Sequence, residues 1–451
     1  MTRETRVSSW GRLRHDPHQV IALRDRRTAG SLIAASSLPG LAVGMERSYG
    51  DVSTNRGGTL WDCRGLDKFL AFDEDTGILS CESGVLLRDI QATFSSRGWM
   101  LPVTPGTALV TVGGAIANDV HGKNHHVAGS FGNHVLSVTL LRTDGEIIEC
   151  SPTENPDWFA ATVGGLGLTG VILEATVQLA RVPGLWLAVE RLVFESLDEF
   201  FELSEASSAT FPYTVAWIDI TTDGGRRGIL TRATPTDGAG PDGRGPDDRR
   251  RGGRGPDERS TRPLGVPLVP PFSLVNRATL PALNRAYFHL QKRSAGRSVE
   301  HYRTFFYPLD AIANWNRLYG PRGFYQHQSV IPPASAREAT REILAEIGKT
   351  GTGSFLGVLK TMGTTPPVGM LSFAAPGVSV ALDFPAASPE TPALLERLDR
   401  IVATAEGRIY PAKDARMPRE LFRAGYPRID EFATYRDPGI ASDLARRLLG
   451  S

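Results

Sequence analysis

TPGTALVTVGGAIANDVHGKNHHVAGSFGNH, residues 104–134, decides how the rest of the chain is read. It begins like a buried strand and then becomes dense in glycine and in basic or imidazole side chains. Gly106, Gly113, Gly114, Gly122, Gly129 and Gly132 permit positive φ and close backbone approach. His121, Lys123, His125, His126 and His134 set charge and proton-transfer capacity beside them. Those five fall within fourteen residues of a chain that has nine histidines in all. Such a loop is suited to lie against a ligand. In the plainer alternative the glycines mark tight turns and the imidazoles are satisfied locally. Zinc is a rival reading because His121, His125 and His126 are close in sequence. No cysteine or carboxylate cluster follows in a ligand pattern, so no metal is assigned.

Working outward, 451 residues exceed one ordinary core, and two domains are expected. Hydrophobic content of 41% and a formal net charge of +1 fit a globular enzyme and give no electrostatic case for nucleic acid. Cys63, Cys81 and Cys150 are odd in number and lack CxxC spacing, which argues against a disulfide framework and for a reducing compartment. MTRETRVSSWGRLRHDPH has no apolar export segment and no window is long enough to span a bilayer, so a cytoplasmic or peripheral inner-membrane location is expected. Residues 263–283, PLGVPLVPPFSLVNRATLPAL, are apolar and broken by proline. The simplest reading is a core-packing loop, with peripheral membrane contact as the alternative. Residues 233–262 are dominated by Gly, Pro, Asp and Arg and are expected to be a disordered insertion. Their acidic residues offset the arginines and speak against a nucleic-acid-binding arm.

The first half alternates short strand-like and helical patterns. TLWDCRG, ILSCESG and LSVTLLRTDGEIIEC read as strands, and Val85, Leu86, Ile90 and Phe94 have helical spacing. NPDWFAATVGGLGLTGVILEATVQLA gives a helix start, a second glycine cluster and a buried strand, so an α+β domain is predicted. VGGLGLTG at 163–170 has no following helix signal, which excludes a nicotinamide Rossmann fingerprint. Three separated loops remain: MERSYGDVSTN at 45–55, the opening stretch, and VGGLGLTG. In the first, Arg47, Ser48, Tyr49 and Gly50 supply donors suited to a diphosphate.

This constellation resembles the FAD-binding oxidoreductases of the vanillyl-alcohol oxidase type, and within them the branch that oxidises lipid-linked ribosyl phosphates. The resemblance is carried by SSWGR at 8–12, RSYGD at 47–51, TVGGAIANDVHGKNHHVAGSFGNHV, ATVGGLGLTGVI, NWNRLYGPRGF at 314–324, YPAKDAR at 410–416 and ASDLARRL at 441–448. It implies a two-part FAD-binding domain, 1–184 and 407–451, with an inserted antiparallel-sheet substrate domain at 185–406. The implied reaction converts the ribose 2′-hydroxyl of a polyprenylphosphoryl sugar to a ketone while the flavin accepts a hydride. A short-chain reductase would then complete epimerisation to the arabinose donor used in cell-wall arabinan synthesis. A quinone is the implied electron acceptor. No histidine occurs in MERSYGD, where covalent relatives carry a flavin-linked one, so noncovalent FAD is implied.

The resemblance also assigns roles. Lys413, His121 and Tyr49 are the expected catalytic residues, with Tyr410 in the same pocket. Cofactor contacts are expected from Arg47, Ser48, Tyr49, Gly50 and Asp51 in the first loop. Pro105, Gly106, Thr107, Val112, Gly113, Gly114, Ala117, Asn118, His121, Gly122, Asn124, His125, Gly129, Ser130 and Phe131 supply them in the second, and Gly167, Gly170, Val171 and Ile172 in the third. Lys123 and Lys360 would border the substrate. Gln326 and Gln328, alternating about His327, would share one strand face and meet sugar hydroxyls. Ser379 and Ala381 stand where mycobacterial members have Asn and Cys, leaving a smaller polar reach and no thiol. Glu46 replaces the usual glycine before RSYGD and must point away or pair with Arg47. Two alternatives stay open: a flavin oxidase of another sugar, nucleoside or glycosyl intermediate, and a catalytically silent FAD-binding scaffold.

Overall fold

Local patterning builds three main sheets and two two-stranded ones in a computed structural model that describes residues 3–36, 39–221, 227–237, 264–351, 353–354 and 356–450. Arg3–Val7 (β1), Asp16–Ala22 (β2), Gly40–Val43 (β3) and Thr59–Asp62 (β4) form the first, in the order β1-β2-β4-β3. β2 and β3 both run parallel to β4. The helix Arg26–Ala34 joins β2 to β3; the Asp25 carboxylate accepts from the Arg27 amide and caps it.

Phe69–Phe72 (β5), Ile78–Glu82 (β6), Val135–Leu141 (β7), Ile147–Cys150 (β8) and Val171–Gln178 (β9) form an antiparallel sheet in the order β5-β6-β9-β7-β8. The strands expected at TLWDCRG, ILSCESG, LSVTLLRTDGEIIEC and GVILEATVQLA are present. Helix Leu87–Phe94 buries Ile90 and Phe94, as their spacing predicts; Leu86, expected on the same face, is instead its half-buried N-cap, and Leu87 enters the core. One expectation is overturned: the stretch 104–134 does not begin as a strand. Val112–Ala117 is a short helix, because the Thr111 hydroxyl accepts from the Gly114 amide at 3.2 Å and starts a turn. The amides of Val112 and Gly113 instead reach the carbonyls of Val85 and Ser83 beyond β6. A cap and two long-range hydrogen bonds outweigh the β-branched propensity of a short run.

Trp186–Phe194 (β10), Tyr213–Ile218 (β11), Gly228–Thr236 (β12), Gly296–His301 (β13), Phe324–Ile331 (β14), Val358–Met362 (β15), Gly377–Pro385 (β16) and Arg408–Ile409 (β17) form the third and largest sheet. Its order is β13-β10-β12-β11-β15-β16-β14-β17, antiparallel throughout. β17 lies inside the segment expected to return to the flavin part, yet it pairs with β14. The expected insertion 233–262 also starts too early. Ala233 is fully buried and pairs with Val189, and the strand runs on to Thr236. Residues 238–263 lie outside the described residues.

Alternation along β16 divides this sheet into two faces. Val378, Val380, Leu382 and Phe384 enter the main core with Ile343 and Leu344 of helix Ala336–Thr350 and Leu394 and Leu398 of helix Thr391–Thr404. Ser379, Ala381 and Asp383 therefore face the other way, toward the glycine-rich loops.

The last forty residues close the structure against the first sheet. The Gly40 amide donates to Gly439 O and the Ala441 amide to Gly40 O, both at 3.0 Å. The Tyr49 amide donates to Ala412 O and the Asp51 amide to Asp414 O, at 3.1 and 3.3 Å. Gly50 is obligatory between them, since a Cβ there would sit 1.5 Å from Asp414 O. Arg447 locks the junction. Its guanidinium meets both Asp51 oxygens at 2.8 Å, an Asp414 oxygen at 3.0 Å and Met417 O at 2.7 Å. Arg447→Met would leave two shielded carboxylates without their cation and is expected to cost about 3 kcal/mol of stability. The urea midpoint measures it, and an unchanged midpoint would refute that role for the arginine.

Candidate functional site

Three segments converge in front of strands β14, β15 and β16 of the large sheet: the YPAKDAR turn, the RSYGD loop, and the stretch from Asn118 to Lys123. The YPAKDAR turn is held because the Tyr410 amide donates to Gln328 O and the Tyr410 hydroxyl to Asn118 O, each at 2.8 Å. That places the Lys413 ammonium 3.7 Å from the centroid of the Tyr49 ring. Burial drives Lys413 down to about 7, opposed by the carboxylate of Asp383. Asp383 is itself fully buried, accepting from Gln326 Nε2 at 2.6 Å and lying 3.5 Å from the Tyr319 hydroxyl. Desolvation raises its pKa to about 7. A lysine and a carboxyl group that both titrate near neutrality make a proton-handling pair.

A second cluster adjoins it. Lys360 Nζ lies 2.5 Å from His121 Nδ1 and donates to Gly122 O at 2.8 Å. Gln328 Nε2 lies 3.1 Å from His121 Nε2 and 3.3 Å from Ser379 Oγ. His121 is held far below its usual pKa by burial and then by Lys360, and stays neutral. Burial, and then Lys123, push Lys360 to about 7. When Lys360 donates to Nδ1, the single ring proton resides on Nε2 and points at the Gln328 amide, whose oxygen can rotate to accept it. The rings of Phe373 and Tyr410 stack at 4.5 Å beside His121. Trp315, Phe324 and Tyr319 pack around Tyr49 on the far side.

Gln326 and Gln328 do share one face of β14, as their alternation predicts, with Ser379, Ala381 and Lys360 on the neighbouring strands. His327 points the other way, to Asp399. Asp383, which sequence reasoning missed, follows from the same rule applied to GVSVALDFP: Ser379, Ala381 and Asp383 are spaced by two. Tyr319 and Phe373 carry no such signal.

Several expected ligand contacts hold the loops instead. Lys123 donates to the carbonyls of Phe305 and Phe306 at the end of helix Tyr302–Phe306, and is driven to about 7 by burial. His125 Nδ1 accepts from the Gly363 amide at 3.1 Å; His126 and His134 pair with Phe211 O and Ala128 O. Three of the four imidazoles are thus engaged by backbone groups, His126 through Nε2 alone, and of the four His121 joins the cluster. Asn124 donates to Pro102 O at 2.7 Å. Ser130 donates to the buried carboxylate of Asp119 at 2.8 Å, and Asp51 is engaged by Arg447. The side chains of Val112, Phe131, Val171 and Ile172 fill cores. Ala117 O accepts from the Leu166 amide at 2.7 Å and ties the second loop to the third. Thr107 donates to Asp310 at 2.6 Å, which ties the loop after Pro105 and Gly106 to the single 3-10 turn Pro308–Ala311.

The remaining groups suit a flavin dinucleotide. Among the described residues the amides of Arg47, Ser48 and Gly50 have no acceptor, and Arg47 Nε, Ser53 Oγ and Asn118 Oδ1 are buried without a partner. Open space faces Gly106 and Gly167, the latter at φ +73°. Unspent amides and one arginine suit phosphates, and an unspent amide oxygen suits a ring N–H. Glu46 stands at φ +52° and is raised to about 7 by burial, so near neutrality its carboxyl group carries less than a full charge toward the phosphate loop.

The fold and this donor set define an FAD-binding oxidoreductase of the vanillyl-alcohol oxidase type. Residues 25–151 match the FAD binding domain family. Decaprenylphosphoryl-beta-D-ribose oxidase of Mycolicibacterium smegmatis is 36% identical over 99% of this chain and 98% of its own length. A Streptomyces coelicolor protein described as uncharacterized is 34% identical over 78% of this chain and 96% of its own. Mouse L-gulonolactone oxidase is 32% identical over 31% of this chain and 32% of its own. The chain belongs to the decaprenylphosphoryl-β-D-ribose oxidase family, and FAD is its cofactor.

The buried lysines give the fold a pH signature. With folded values near 7 and unfolded values near 10.5, Lys360 and Lys413 bind fewer protons folded than unfolded across that window. Their burial therefore costs most below pH 7 and is relieved as pH rises. Flavin-free protein should gain stability from about pH 7 upward, by at most about 1.4 kcal/mol per pH unit for each lysine. Urea titrations across that range check this, and Lys360→Met should flatten the slope.

Proposed function

We propose that the protein oxidises the 2′-hydroxyl of a polyprenylphosphoryl-β-D-ribose to the 2′-keto sugar, the first half of epimerisation to the arabinose donor of cell-wall arabinan. The observation that carries this reading is the convergence of Lys413, His121, Lys360, Gln326 and Gln328 on one wall in front of the sheet. When bound, FAD supplies the hydride acceptor. The residues of the chain do the rest. Arg47 and the amides of the RSYGD loop hold the diphosphate, with further backbone contacts from Pro105 to Gly122 and from Gly167 and Gly170. Lys413, poised near neutrality, takes the hydroxyl proton at Nζ in its amine form, and Asp383 holds the resulting ammonium. Neutral His121 donates from Nε2 to a sugar oxygen when Gln328 yields it. Gln326 and Gln328 orient the ring hydroxyls, and Lys360 meets the phosphate in its ammonium form. Tyr49, Trp315 and Phe324 exclude water from this side.

Residues 1–184 and 407–451 serve as the flavin part and 185–406 as the substrate part in this reading. A short-chain reductase consumes the keto sugar, a quinone takes the electrons, and the enzyme works at the cytoplasmic membrane face. Among the described residues no helix is long and apolar enough to cross a membrane, which supports peripheral rather than helical attachment.

Anaerobic mixing of the holoenzyme with a short-chain polyprenylphosphoryl ribose should bleach the oxidised flavin band. The rate should rise with pH through about 7 as the Lys413 amine is freed. Lys413→Ala should retain FAD and lose at least about 100-fold in that rate. Bleaching by soluble sugars or nucleosides instead would transfer the assignment to another glycosyl substrate. A flavin that no substrate reduces would mark a silent scaffold.

A further inference from the structure

The core-packing expectation for 263–283 holds only in part among the described residues: Val275 and Leu280 are buried, while Leu264, Leu268 and Phe272 are exposed. Nine of the thirteen large hydrophobic side chains exposed among the described residues lie between 264 and 312. Leu264 is 81% exposed, Leu268 78% and Phe272 64%, all on the proline-broken stretch before helix Leu280–Arg293. The helix continues the surface. It is held to the body by Leu280, Asn284 and Phe288, while Leu283 and Leu290 face outward, with Tyr287 between them half exposed and edge-on to Trp217. Apolar side chains gathered this way, rather than scattered singly, mark a surface that meets another phase or molecule.

Charge selects the partner. From 264 to 299 the chain has no aspartate or glutamate, but it has Arg277, Arg285, Lys292, Arg293 and Arg297. Arg277 and Lys292 lean on Glu390 and Glu195 in exposed pairs at 3.0 and 3.5 Å, and Arg297 on Glu190 at 3.5 Å. Exposed pairs of this kind are weak and readily exchanged for phosphate. An apolar stripe flanked by arginine and lysine is the pattern of an element lying in a bilayer interface, with its basic residues among anionic headgroups.

Position links this surface to the site. The inner side of the same segment, Val275 and Leu280, packs into the aromatic cluster of Tyr49, Trp315, Tyr319 and Phe324. The Leu274 amide donates to Leu318 O at 2.8 Å, and Arg317 donates to the carbonyls of Val266 and Pro267. One face of 264–290 is thus the back of the wall beside Lys413, and the other is open and apolar.

We propose that residues 264–290 form a docking surface for an anionic phospholipid bilayer, which seats the site's entrance at the headgroup level. The proposal rests on the reading of the substrate as lipid-linked, but it is tested without substrate. Full-length holoprotein is sedimented with vesicles of phosphatidylglycerol and phosphatidylcholine, and with phosphatidylcholine alone. Binding to the anionic vesicles, weakened by salt, is expected. Leu268→Ser with Phe272→Ser, and separately Leu283→Ser with Leu290→Ser, should each weaken it by about tenfold or more. Arg285→Glu with Arg293→Glu should abolish the preference for anionic lipid. All three should retain FAD and wild-type oxidation of a short-chain, water-soluble substrate. Absence of vesicle binding, or binding that the three variants leave unchanged, overturns the proposal. So does sedimentation-velocity evidence that the wild type self-associates through this face and the serine variants do not. If vesicle binding behaves as expected while no ribosyl phosphate is oxidised, the substrate reading fails and the docking surface stands.

Discussion

Arg447 sits between Asp51 and Asp414 and joins two segments that are far apart in sequence, one near each end of the chain. Everything that is chemically useful in this protein depends on that junction. RSYGD and YPAKDAR lie so close that Gly50 has no room for a methyl group. Because their backbones are hydrogen-bonded, Lys413 is delivered onto the ring of Tyr49 and Tyr410 onto the carbonyl of Asn118. The cation–π contact is a consequence of the docking, not its cause, since such a contact contributes only about 0.5–2 kcal/mol.

The second constraint is electrostatic. Three lysines, Lys123, Lys360 and Lys413, are drawn down to about 7, each chiefly by burial. Burying an ammonium costs stability unless it is solvated by the protein, and here carbonyls, an imidazole and an aromatic face do that work in part. The residual cost is what places Lys413 within reach of both protonation states near neutrality. Lys123 shows that a depressed lysine need not face the site: its partners are the last carbonyls of a short helix, and its role is to hold the loop.

Much of the site was legible because two simple periodicities were at work. The strand period of two placed Gln326 with Gln328 and turned His327 away, and the same period in GVSVALDFP leads to Asp383. The glycine loops were legible as loops, yet the assignment of His125, Asn124 and Ser130 to a ligand did not survive in their side chains. Each found a nearer partner, Gly363 N, Pro102 O and Asp119. Residue type tells what a side chain can bond, and only the fold says which partner is closest. The strand expected at the beginning of the 104–134 stretch failed for a related reason, since a threonine cap and two distant carbonyls settled a conformation that propensity left open.

By itself the sequence determined several strands of the first half and the helix at Leu87–Phe94, the three glycine-rich loops, the α+β class, and, through the long motifs, the flavin family. These follow from short-range rules of periodicity, turn chemistry and residue type, which act over a few neighbours. The tertiary structure alone decided which of the basic and imidazole groups meet and which are spent on packing, how Asp383 faces Lys413, and that the apolar stretch 264–290 turns Leu264, Leu268 and Phe272 outward. Those outcomes depend on contacts between segments hundreds of residues apart, and on which face of each element the core leaves uncovered.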